Sequence, residues 1–195
     1  MPLSTDSALH RRLRQATTNC HRELDRQPLL SRLRDSNVTL VQYGNALAAL
    51  HGIYLRSEAA ILAYLQADPS LFDYQSRRKV PALESDLSSL GRSPVPLNTA
   101  GPELNSVGAL VGTLYTLEGS MLGGQFIART LPPRFPRHFY TVYGEQTGRR
   151  WEEFLMFADA ACPTSAYETA ATTAIALFAS LKQQLDDAQR CFEQG

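Results

Sequence analysis

Residues 117–128 read LEGSMLGGQFIA and place glycine at 119, 123 and 124 within a segment whose neighbours are helical in character. Each interior glycine costs a helix roughly 1 kcal/mol against alanine. Gly119 and Gly123 are four apart and share one helix face, with Gly124 beside them. Missing side chains let a bulky group approach the backbone, and they let a helix bend. Two readings follow from spacing alone. One is close helix–helix packing of the small-xxx-small kind. The other is a ligand lying directly against the helix backbone.

The rest of the chain supplies helices to surround this one. Helical periodicity predicts segments at 7–26, 39–66, 74–90, 106–131, from near 147, and 165–192. Ala8, Leu13, Ala16, Cys20 and Leu24 carry the period of the first, and Ser4, Thr5, Asp6 or Ser7 is its cap. Pro28 limits its end, Pro69 closes the second and Gly91 the third. No alternating run reads convincingly as a strand. The expected fold is all-α, a bundle of six to eight helices forming one domain over 1–195, with 44% hydrophobic residues to fill its core. The proline-rich stretch 93–103 is the best candidate for a break, yet the segments on both sides look like parts of one core.

Charge narrows the function classes. Lys plus Arg and Asp plus Glu each number 19, so the net charge is zero, which argues against nucleic acid as a partner. Cys20, Cys162 and Cys191 are odd in number and widely spaced, so neither a disulfide framework nor a structural zinc site is indicated. The first residues lack an apolar run behind their charges, unlike a secretory signal. No apolar stretch is long enough to span a membrane. A cytoplasmic location is the expectation.

One histidine stands out. His21 lies in RLRQATTNCHRELD, with small or polar neighbours Thr17, Thr18 and Asn19. Such a histidine is either a hydrogen-bonded core residue or a ligand. Arg14 lies two turns earlier, about 10 Å along the same helix face. A histidine and a cation at that separation suit the metal of a porphyrin and one of its propionates. His10, His51 and His138 have no metal spacing, and there is no ExxH pair, P-loop or dinucleotide fingerprint.

Together, ATTNCHRELD and LYTLEGSMLGGQFIA resemble the haem oxygenase family, in its bacterial biliverdin-producing branch, over nearly the whole chain. The resemblance implies that haem, substrate and cofactor together, lies between a proximal helix and a kinked distal helix. His21 matches the proximal iron ligand. Gly119 and Gly123 match the distal glycines, Gly124 flanks them, and Ser120 falls at the polar position between; Gly119, Ser120 and Gly123 are then the catalytic wall. Arg14, Tyr115 and Arg129 stand where propionate partners are expected, and Glu23 is placed to hydrogen-bond near the proximal histidine. Trp151, Phe154 and Phe157 recur at helical spacing as core, with one of them at the haem edge. The implied reaction cleaves haem at a meso carbon to biliverdin, CO and Fe2+. Its electrons come from a ferredoxin, a flavodoxin or an NADPH-dependent reductase, and a phytochrome is a candidate receiver of biliverdin. Two departures are visible: GGQ at 123–125 is nearer to animal relatives than to the GAA common in bacteria, and arginine replaces the more frequent lysine at 14. The competing readings are a haem carrier or sensor on the same fold, and a non-haem helical enzyme of the thiaminase-like or quinone-cofactor-forming kind.

Overall fold

The computed structural model describes residues 7–96 and 100–194, so the cap candidates Ser4, Thr5 and Asp6 and part of the proline-rich stretch lie outside it. The described residues form seven α-helices and no strand: α1 (Ala8–Arg26), α2 (Pro28–Ser31), α3 (Leu40–Leu65), α4 (Val80–Ser89), α5 (Val107–Thr130), α6 (Thr147–Ala161) and α7 (Tyr167–Gln194). Local chemistry sets the boundaries. Ser7 caps α1 by accepting the His10 N–H, and Ser106 caps α5 by accepting that of Ala109. Thr39 and Gln42 close a capping box on α3. Gly91, at φ 60°, takes the left-handed conformation just after α4.

Two boundaries differ from expectation. Pro28 ends α1 and also starts α2, because the Gln27 side chain accepts the N–H groups of Leu29 and Leu30 and Pro28 occupies the first turn. The segment expected as one helix at 74–90 is instead a 3-10 turn, Gln75–Arg77, followed by α4. Pro81 in the first turn of α4 favours a helix start there, and Glu58 of α3 accepts the N–H groups of Lys79 and Val80. The inward face of α1 also differs in detail: Leu9, Leu13 and Thr17 are buried, whereas Ala8 is exposed.

The first half of α5 is the centre of the bundle, with every residue from Gly108 to Glu118 buried. It packs on α7 and α6, and α1 lies across α7. The approach to α7 depends on glycine. A methyl at Gly112 would stand 2.3 Å from the Ala170 carbonyl oxygen, and one at Gly108 would stand 2.8 Å from that of Ala166. Ala170, Thr173 and Ala174 of α7 face Gly112, and Thr169 of α7 with Ala166, in the turn before α7, faces Gly108. Both clashes are with backbone, so no rotamer change relieves them. Gly112→Ala is expected to cost about 2 kcal/mol through overpacking. Thermal unfolding should then show a midpoint lowered by roughly 4–8 °C.

Candidate functional site

Beyond Glu118 the surroundings of α5 change. Its second half roofs a cavity of about 330 Å3, floored by the C-terminal part of α1 and walled by α3, α7 and residues 139–140. The lining is mainly apolar, with Leu24, Leu50, Ile53, Ile127, Phe139 and Leu181 among it. His21 opens onto this space from α1, and Gly119, Ser120, Gly123 and Gly124 line it from α5. The structure therefore brings together the two motifs that the sequence singled out, about a hundred residues apart.

His21 is well prepared to be a ligand. Its ring meets that of Phe178 edge-on, with centroids 4.6 Å apart, which limits how the imidazole turns. Burial lowers its pKa from the ordinary 6.5, and the nearby Asp25 opposes that shift without cancelling it. The imidazole is thus neutral at pH 7, with a lone pair available. Asp25, one helical turn beyond His21, also lines the cavity and pairs with Arg34. Glu23, the carboxylate that the sequence suggested beside the histidine, is exposed and outside the lining.

The glycines divide by what surrounds them. A methyl built on Gly124 would come within 2.9 Å of the Tyr140 ring, so that glycine serves packing as well as lining the cavity. A methyl on Gly119 would meet only Trp151, at an ordinary 3.5 Å. A methyl on Gly123 would meet nothing within 4 Å. Packing within the chain accounts for Gly124 but not for Gly119 or Gly123. Between them, the Ser120 hydroxyl donates to the Leu117 carbonyl at 2.7 Å and lies 2.7 Å from the Tyr54 hydroxyl. With the serine proton committed to the carbonyl, Tyr54 is the donor to Ser120. Burial holds the Tyr54 hydroxyl well above its usual pKa, against the opposing Ser120 bond, so it stays protonated.

The remaining sequence candidates fall outside the lining. Tyr115 is buried, 3.3 Å from the Thr17 hydroxyl and stacked at a tilt near Trp151, so it ties α5 to α1. Burial raises its pKa, and the Thr17 hydrogen bond and the charge of Arg14 oppose this. Arg14 and Arg129 are exposed. Phe154 is fully buried, Phe157 packs on Phe72, and Trp151 covers Gly119. His51 pairs with Glu84 and His138 with Asp86, and no group of metal-binding side chains occurs among the described residues. Tyr54, Asp25, Arg34 and Phe178 were not singled out from sequence. Only Asp25 had a local signal, its four-residue spacing from His21.

This arrangement has relatives. The family model for haem oxygenase matches residues 7–187. A haem oxygenase of Xanthomonas campestris pv. campestris is 40% identical over 87 residues, 42% of this chain and 50% of that protein, so the match spans about half the length of that relative. In fold, the chain is similar to the haem oxygenase of Leptospira interrogans, with a TM-score of 0.73 at 15% identity over 93% of this chain and 100% of that one. It is similar to the Neisseria meningitidis enzyme, with a TM-score of 0.75 at 20% identity over 92% and 91% of the two chains. It is also similar to haem oxygenase-1 of Synechocystis, solved in complex with haem, with a TM-score of 0.75 at 15% identity over 96% and 95%. The chain belongs to the haem oxygenase family.

The division among the glycines is testable without any ligand. Gly123→Ala replaces a poor helix former where nothing obstructs a methyl, so a gain of about 1 kcal/mol is expected. Calorimetry should show a midpoint raised by roughly 2–4 °C. Gly124→Ala should instead lower it, because the Tyr140 ring must move.

Proposed function

We propose that this protein is a haem oxygenase that binds haem between α1 and α5 and cleaves it oxidatively at a meso carbon to biliverdin, CO and Fe2+. The observation that carries this reading is the open space over Gly123. A helix that forgoes side chains at 119 and 123, with nothing packed where a Gly123 side chain would be, lines an apolar cavity together with a neutral histidine. The donor set fits haem: one imidazole, apolar walls for the macrocycle, and bare backbone opposite. Haem supplies the iron that takes up dioxygen, and the carbon skeleton that is cut.

The chain's own part is orientation and exclusion. His21 would hold the iron of bound haem, with the Phe178 ring edge-on beside it limiting how its imidazole turns. The backbone at Gly119 and Gly123 would leave the opposite face of the haem open to a small ligand. Tyr54 keeps a proton at its hydroxyl and holds Ser120 in place, so the Ser120 hydroxyl is ordered beside the glycines. Arg34, the cation that lines the cavity, joins Arg14 and Arg129 as a candidate partner for the propionates, and Tyr115 keeps its place beside Arg14. No nucleotide or flavin fingerprint occurs in the sequence, so electrons come from an external donor such as a ferredoxin, flavodoxin or NADPH-dependent reductase. No described helix is long and apolar enough to cross a membrane.

Adding hemin to the purified protein should produce a Soret band that decays into a broad red biliverdin absorption once ascorbate or a ferredoxin system is added. His21→Ala should lose the normal Soret band. A stable band that no reductant consumes would make the protein a carrier or sensor, and no band at all would remove haem from the account. Acidification gives a second check. The folded state disfavours the protonated His21, so its pKa lies below 6.5 and the neutral ligand persists as pH falls through that value. Spectral titration should show the His21-dependent Soret band lost with a midpoint below pH 6.5.

A further inference from the structure

Glu118, immediately before Gly119, is one of the most enclosed charged groups in the molecule. Its carboxylate accepts from Lys79 Nζ at 2.5 Å and from Arg77 at 2.9 Å, and it lies 3.0 Å from the Tyr143 hydroxyl through both oxygens. Lys79 is fully buried, and its other donors go to the Arg77 carbonyl and to Tyr143. Arg77 continues to Glu153 and to the Arg150 carbonyl of α6, while Glu58 of α3 holds the backbone of Lys79 from below. The 77–79 segment and Tyr143 thus meet on the one carboxylate of α5, and Arg77 and the Lys79 backbone link it onward to α6 and α3. Buried ion clusters are poor sources of net stability beside apolar packing, and their best-attested use is to fix register. The fixed point falls where α5 stops being buried and its glycines begin.

The far end of the glycine segment is also held. Gln125 donates to the Gly144 carbonyl, and Arg137 donates to the carbonyls of Ala128, Leu131 and Pro132. Between these ends, Leu122 and Gly123 are exposed, and nothing packs where a Gly123 side chain would be. We propose that Glu118, clamped by Lys79, Arg77 and Tyr143, is a positioning residue that sets the register of Gly119 and Ser120 over the cavity. This role rests on the haem reading only for its consequence at the ligand; the clamp itself is a property of the haem-free chain.

The test compares Tyr143→Phe and Glu118→Gln with Leu83→Ala, a core truncation in α4 whose thermal loss provides the structural control. Hydrogen exchange on the haem-free protein is read first. Amides 119–128 should exchange about tenfold faster in the clamp variants than in the control at matched distance below the unfolding midpoint, with α1 and α7 alike in all three. Imidazole titration of the hemin complexes is read second, and the clamp variants should shift its affinity by about tenfold while the Soret band still forms. If Glu118→Gln does not fold, Tyr143→Phe decides alone, since it removes a neutral group and leaves the ion pairs. Exchange at 119–128 that rises no more than in the control overturns the proposal. Absence of a Soret band in the wild type would overturn the haem reading and leave the exchange result to judge the clamp.

Discussion

The close approach of α5 and α7 at Gly108 and Gly112 is the contact on which the rest of the molecule depends. Only hydrogen at those two positions allows the backbones to come so near, and the facing alanines of α7 complete the fit. With that distance set, α7 presents Phe178 beside His21, and α5 extends its second half across the space above. One helix therefore uses glycine for two purposes. In its buried half glycine admits a neighbouring helix. In its second half, Gly119 meets Trp151 only at ordinary contact distance, and Gly123 faces a space that no part of the described chain occupies.

The charged interior reinforces this division. Asp86, fully buried in α4, accepts the N–H groups of His138 and Phe139 and the His138 ring, which holds the segment whose Phe139 and Tyr140 wall the cavity. Glu58 caps α4 from α3, and Glu118 gathers Lys79, Arg77 and Tyr143. Burying a charge is expensive unless its partners are complete, and here the partners come from different elements. Such groups restrict how the elements are arranged more than they add to stability.

The all-α architecture was legible because helical signals are local. Thr39 with Gln42, Ser106, Pro28 and Gly91 act within a few residues of themselves, and the observed ends fall close to those expected. The exception at 74–90 has a distant cause, since Glu58 completes the start of α4 from another helix. The two halves of the site were legible for a similar reason. A histidine among small residues and a glycine triplet in a helix are both odd in their own context. Their meeting across one cavity is a tertiary fact, as is the open space over Gly123 that separates it from Gly124.

What the sequence by itself determined is the set of helices, their order, and the positions of His21 and of Gly119, Gly123 and Gly124 on them, because caps, breakers and periodicity act over a turn or two of chain. What only the tertiary structure decided is which residues serve them. Tyr54 reaches Ser120 from sixty-six residues away, and Phe178 reaches His21 from the last helix. Lys79 and Arg77 meet Glu118 about forty residues on, whereas Tyr115 and Arg14 stand beside one another outside the cavity lining. Helical spacing places a residue on a face, but only the packing of whole helices determines what that face meets.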